Sequence, residues 1–102
     1  MKIAVVSLIL CLCAGTAYAD ELYTQGKQVF DQAEPSCAIC HTLADAGSAG
    51  AIGPNFNDLK PSEEQVWKAL NGGVGIMPDF SDSLSQEQMK AVAHYVAEAS
   101  KQ

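Results

Sequence analysis

The chain has 102 residues, with six basic and twelve acidic side chains and a formal net charge of −6. That is room for one small domain, and a surface of this sign excludes a nucleic-acid binder, because the phosphate backbone would repel it. At 48% hydrophobic and 18% charged residues, the composition is not that of a disordered segment.

Met1-Lys2 is a minimal positive start, Ile3 to Ala14 is an apolar run broken only by Ser7, and Ala17-Tyr18-Ala19 fits a small-x-small cleavage site. This pattern predicts a secretory signal peptide over residues 1–19, with the mature protein starting at Asp20. The alternative is an uncleaved anchor, but the run falls short of the ~20 apolar residues that a bilayer span needs. Cys11 and Cys13 lie inside the run and leave with it, since Leu10 and Leu12 are not the small residues that a lipoprotein signal places before its cysteine. No membrane span is expected in the mature chain, and the expected location is the periplasm. Without its first 19 residues, which hold only Lys2 as a charge, the chain has 83 residues, five basic and twelve acidic, and a net charge of −7. So small a domain buries little surface and usually needs a staple.

The first predicted helix spans about Leu22 to Ala33. Leu22, Gly26, Val29, Phe30 and Ala33 share one face at 100° per residue. Gly26 sits mid-face, where glycine costs about 1 kcal/mol relative to alanine. The close approach of another helix is the natural compensation.

Cys37-Ala38-Ile39-Cys40-His41 follows. A disulfide across C-x-x-C closes too small a loop to stabilise much. A thioredoxin-like redox motif would need a βαβ pattern, which is missing. A zinc site lacks ligands, because His94 is the only other histidine. With His41 next in line, the pattern is C-x-x-C-H, the attachment signature of c-type haem. Two intervening residues on a helical turn bring both sulfurs to the haem vinyl groups, each thiol adding to one. His41 then projects under the iron as the proximal ligand. Covalent haem also supplies the apolar body that 83 residues lack, so folding and attachment should be coupled.

Thr42 to Lys60 is irregular and contains Gly47, Gly50, Gly53 and Pro54. A second helix is predicted over Glu63 to Leu70, with Ser62 and Gln65 as a capping box and Asn71-Gly72 as its stop. Val66, Ala69 and Leu70 form its apolar stripe, with Trp67 on the flank. Asn71 to Ser83 is again irregular, and no stretch alternates over strand length. It holds Gly75-Ile76-Met77-Pro78. A methionine thioether is the common sixth ligand in electron carriers. Pro78 biases Met77 to an extended backbone, so Met77 is the expected axial partner of His41. A third helix is predicted over Gln86 to Ser100, with Ser85 and Gln88 as a capping box and Leu84 and Met89 as a hydrophobic staple. Met89, Val92, Ala93, Val96 and Ser100 share its apolar face, Tyr95 lies at the edge, and His94 falls on the opposite, solvent side. Met89 therefore reads as packing rather than as a ligand. The expected architecture is all-α, three or more helices whose long loops wrap a large ligand.

The ordered set Gly26, Phe30, Cys37-Ala-Ile-Cys40-His41, Gly53-Pro54-Asn55-Phe56, Met77-Pro78 and Tyr95-Val96 resembles the small monohaem class I cytochromes c of bacterial periplasms. The resemblance covers nearly the whole mature chain and implies the class I cytochrome c fold. It also implies that the Pro54 carbonyl accepts a hydrogen bond from the His41 ring, tuning the iron from outside its ligand set. Gly26 and Phe30 match the contact of the N-terminal helix with the C-terminal helix, where Tyr95 matches the aromatic partner. Cys37 and Cys40 match the thioether positions, and His41 and Met77 the axial ones. More loosely, the Met77-Pro78 segment and the C-terminal region look like haem subunits of periplasmic dehydrogenases, such as those oxidising sulfite. The chain lacks the basic face of mitochondrial-type cytochromes.

The expected function is thus electron transfer by one haem c cycling between Fe(III) and Fe(II), with no catalytic cluster. The alternatives are a dedicated haem subunit of a periplasmic oxidoreductase, and a sensor or peroxidase with an open sixth site. The acidic surface suits redox partners with a basic docking surface.

Overall fold

A computed structural model describes residues 14–102, so most of the expected signal peptide, with Cys11 and Cys13, lies outside the described residues. Helix α1 spans Ala14–Gln32. It starts eight residues before the expected Leu22, because Ala14, Ala17 and Ala19 are strong helix formers and nothing between Tyr18 and Leu22 breaks the turn. The one-turn helix α2 (Cys37–Cys40) follows. Two-residue strands β1 (Thr42–Leu43) and β2 (Ser48–Ala49) then pair antiparallel around a short 3-10 turn at Ala44–Ala46. Strands this short leave no alternation in the sequence, which is why none was expected. Helix α3 is Phe56–Leu59, α4 is Glu63–Leu70 and α5 is Gln86–Ala99. Apart from the β1–β2 pair and an isolated bridge between Val74 and Met77, the regular structure is helical, as expected.

The ends of α4 and α5 follow from their caps. Ser62 Oγ accepts from Gln65 N at 3.1 Å while Ser62 N donates to Gln65 Oε1 at 2.8 Å. Ser85 and Gln88 repeat the arrangement at the same distances. Each box satisfies two backbone donors that a helix start otherwise leaves open. Helix α4 keeps its expected bounds, and α5 stops one residue short, with Ser100 as its C-cap.

Helices α1 and α5 share the most extensive contact between elements, and α4 packs on another side of α5. Gly26, Val29, Phe30 and Ala33 are buried at the α1 side, while Leu22 is half-buried. Gly26 is where the two backbones come closest: a Cβ there would overlap the Ala91 carbonyl and lie 2.5 Å from Tyr95 Cβ.

Two residues of α5 sit differently from expectation. Tyr95, expected at the edge of the apolar face, is 0% exposed. Its hydroxyl donates to Asp45 Oδ2 at 2.7 Å, which gives the buried phenol the partner it needs. The same bond, first among its causes, holds the Asp45 carboxyl below its ordinary pKa, while burial and Asp45 push the Tyr95 phenol up. Lys27 Nζ lies 3.5 Å from that carboxylate and donates to the Asp45 backbone carbonyl at 3.1 Å, so α1, α5 and the 3-10 turn meet at one residue. His94, expected in solvent, has a side chain only 16% exposed, with Nδ1 3.2 Å from Glu63 Oε1 at the start of α4. A wheel with one apolar face misplaces it, because α5 is flanked by α1 and α4 and buries a much wider arc: Ala91, Val92, Ala93, Tyr95, Val96, Ala97 and Ala99 are all buried. No helix among the described residues is long and apolar enough to cross a membrane.

Candidate functional site

Cys37, Cys40, His41, Pro54 and Met77 line a single cavity of about 560 Å³, within the usual range for a ligand or cofactor site. Its wall is mostly apolar. Phe56 and Leu59 come from α3, Val66 and Ala69 from α4, and Phe80 closes the far loop. Ile76 stands at its edge, 84% exposed.

The cysteines are placed by α2. Ser36 caps that turn, its Oγ accepting from Ala38 N at 3.3 Å and donating to the Phe30 carbonyl at 3.2 Å, which ties the motif to the end of α1. Cys37 and Cys40 are not joined in a disulfide. Burial pushes the Cys37 thiol up to about 11, the opposite of the depressed values that make redox-active thiols reactive.

His41 caps α2 in extended conformation, its N–H donating to the Cys37 carbonyl at 2.9 Å. The ring is buried and its Nδ1 lies 2.8 Å from the Pro54 carbonyl oxygen. A carbonyl only accepts, so Nδ1 carries the proton, and in the neutral ring Nε2 keeps its lone pair for a metal. Gly53 makes room for this: a Cβ there would lie 2.6 Å from His41 Cε1. Phe56 stacks on the ring, with centroids 4.1 Å apart and planes at 13°. Behind the ring, Ser48 Oγ donates to the His41 carbonyl at 2.9 Å and accepts from Leu43 N at 3.0 Å. The β1–β2 pair thereby anchors the histidine's backbone.

Met77 reaches the same cavity from a tight turn. Met77 N donates to the Val74 carbonyl at 2.9 Å and Val74 N to the Met77 carbonyl at 3.2 Å. Gly75, at φ +56°, supplies the left-handed backbone inside that turn. Gly73 N donates to the Ala69 carbonyl at 3.0 Å and Phe80 N to the Leu70 carbonyl at 2.9 Å, pinning both ends of the loop to the end of α4. Met89 is 1% exposed in the helical core and is not among the residues lining the cavity. Neither is His94.

The donor set fits a covalently held haem: two thiols at i and i+3, an imidazole of fixed tautomer next to them, and a thioether on a separate pinned loop, all on an apolar wall. It does not fit a bare ion, since no cluster of three or more His, Cys, Asp or Glu side chains among the described residues could hold one. The roles of Phe56 and Ser48 escaped the sequence analysis. Phe56 was visible only inside the Gly53-Pro54-Asn55-Phe56 string, and nothing in the sequence pairs Ser48 with His41.

Residues 21–96 match the family profile described as cytochrome c oxidase, cbb3-type, subunit III. The chain is 32% identical over 100 residues to a chloroplastic cytochrome c6 of Chlamydomonas reinhardtii, covering 88% of this chain and 62% of that protein. It is 32% identical over 81 residues to cytochrome c6 of Tetradesmus obliquus, covering 70% and 83%. Its fold superposes on the crystal structure of the c-type cytochrome SorU from Sinorhizobium meliloti with a TM-score of 0.76 and 41% identity, over 79% of this chain and 93% of the other. With C-x-x-C-H on its cavity wall and these matches along most of its length, the chain belongs to the cytochrome c family: it is a small monohaem class I cytochrome c, an electron-transfer protein with one covalently bound haem c.

Proposed function

We propose that residues 20–102 form a periplasmic electron carrier, exported by a signal peptide over residues 1–19, with His41 and Met77 as axial ligands. The observation that carries this reading is the meeting of Cys37, Cys40, His41 and Met77 on one apolar cavity. Cys37 and Cys40 would hold the cofactor as thioethers, each thiol adding S–H across one vinyl group with no atom lost. The haem supplies a one-electron couple. His41 presents Nε2 because Pro54 holds Nδ1–H, a contact of the kind that fixes a ligand ring and raises its basicity. Met77 supplies a soft sulfur that favours the reduced iron. The apolar wall keeps water from the site.

Intact mass spectrometry of protein recovered from its native host tests this directly. The expected mass is that of the polypeptide from Asp20 plus one haem. A bare polypeptide with two free thiols would end the reading.

The partner we infer presents a basic docking surface beside its own redox centre. Glu87 is exposed on α5 and Asp79 and Asp82 on the loop between α4 and α5, while the exposed Glu64 of α4 is paired with Lys68 at 3.1 Å. Steering by such a field acts on the association rate and is screened over about 8–10 Å at ordinary ionic strength. Stopped-flow reduction by the native donor should therefore slow as salt is raised. A rate that is flat or climbs with salt would rule out a basic partner surface. A second reading, a haem subunit resident on a larger oxidoreductase, is favoured by Ile39, which is 60% exposed and lies outside the cavity. Co-purification with a larger chain would select it.

A further inference from the structure

The His41 ring is restrained on three sides by contacts that do different things. The hydrogen bond to the Pro54 carbonyl fixes Nδ1 and its proton and, with the ring tethered at Cβ, restrains rotation at one edge, leaving the faces of the ring to other contacts. The close approach of Gly53 limits one edge. Phe56 covers one face of the ring, stacked at 4.1 Å and 13°. Phe56 has little freedom of its own. It is the first residue of α3, just after Asn55, whose side chain caps the helix by accepting from Asn57 N and Asp58 N. Its carbonyl accepts from Lys60 N at 2.8 Å. Phe30 meets its ring edge-on at 6.4 Å and in turn packs against Tyr95 at 5.8 Å. Tyr95 is held by Asp45. The imidazole plane is thus referred, through three aromatic rings, to the crossing of α1 and α5.

The plane of an axial imidazole matters because its π orbitals overlap one of the two iron dπ orbitals better than the other. That choice decides which orbital loses the electron on oxidation. We propose that Phe56 is a positioning residue for electron transfer: by stacking on His41 it fixes the plane of the ring, and with it the electronic ground state and potential of the oxidised iron. The proposal rests on the reading of His41 as an axial ligand. It goes beyond that reading by assigning to Phe56 a hold on the ring plane that adds to the Pro54 hydrogen bond.

The test uses the holoprotein and two variants, Phe56→Leu and Phe56→Tyr. Leucine keeps an apolar side chain over His41 but offers no flat face, whereas tyrosine keeps the flat ring. Three readouts report on the ferric iron: the spread of its electron-paramagnetic g values, the pattern of paramagnetically shifted haem-methyl resonances, and the midpoint potential. Phe56→Leu should change the first two and shift the ferric–ferrous equilibrium by up to tenfold, about 59 mV for one electron. Phe56→Tyr should keep the wild-type pattern in all three. The proposal is overturned if Phe56→Leu matches the wild type, or if both variants move alike, which would make bulk rather than ring stacking the cause. Should Phe56→Leu yield no holoprotein, the reduced wild type decides. Through-space proton contacts between the Phe56 and His41 rings support the stack, and their absence removes it. Failure of the underlying reading looks different: the His41 ring protons would then lack the large shifts of a ring bound over the haem, and the proposal would fall with it.

Discussion

Met77→Ala is expected to lower the reduction potential by more than the ~59 mV that marks a tenfold change in a one-electron equilibrium, and to let carbon monoxide bind the reduced protein. The direction follows from ligand chemistry, because a thioether stabilises ferrous iron relative to the oxygen ligands or water that would replace it. The location follows from the fold. Met77 lines the cavity from a turn closed by two hydrogen bonds with Val74 and tethered to α4 on both sides. The other methionine of the described residues, Met89, makes the control. It is packed in the core on α5, so Met89→Ala should leave the iron closed and cost about 2–5 kcal/mol of stability. A spectroelectrochemical titration with and without carbon monoxide, and a denaturant melt of each variant, separate the two. If Met89→Ala opens the iron and Met77→Ala does not, the ligand assignment is reversed.

What the sequence exposed and what it hid divide along the range of the interactions involved. Local signals were readable. The boxes Ser62–Gln65 and Ser85–Gln88 are contacts three residues apart, and they placed the starts of α4 and α5 where the structure has them. Cys37 to His41 is a five-residue pattern whose spacing carries its own chemistry. The burial of Gly26 was also legible, because a glycine in the middle of an apolar stripe is costly without a close neighbour. Contacts between distant segments were not readable. Asp45 meets Tyr95 fifty positions along the chain and Glu63 meets His94 thirty-one positions along, and in both pairs the polar group on α5, wholly buried in Tyr95 and partly in His94, finds its partner on a distant segment. A helical wheel sees neither partner, so it left Tyr95 at an edge and His94 in water. Phe56 is a similar case. As one apolar residue after Asn55 it has no distinctive pattern, and its stacking on His41 exists only because the chain turns back at Gly53-Pro54. The start of α1 was hidden for another reason: the alanine-rich residues that suit a cleavage site also favour helix.

The second large effect is on folding. Gly26→Ala should destabilise the protein by about 3 kcal/mol or more, at or beyond the upper end of ordinary overpacking. Two opposing effects set the sign. On helix propensity alone, alanine would gain about 1 kcal/mol over glycine inside α1. Against that, the new Cβ would land on the Ala91 carbonyl and within 2.5 Å of Tyr95 Cβ. The obstructing atoms are backbone and a Cβ, so no flexible side-chain tip can swing aside, and α1 must move off α5. That movement would reach the rest of the crossing, because Phe30 and Tyr95 pack edge to face across it at 5.8 Å and Lys27 and Tyr95 both meet Asp45. Phe30 also touches Phe56, so the His41 environment should loosen with it. The control is Gln25→Ala, one residue away on the same helix but exposed, which should stay within about 0.5 kcal/mol of the wild type. Chemical denaturation of the holoproteins, followed both by helical circular dichroism and by haem absorbance, measures both effects. A Gly26→Ala protein as stable as the wild type would mean that α1 and α5 do not approach each other this closely at Gly26.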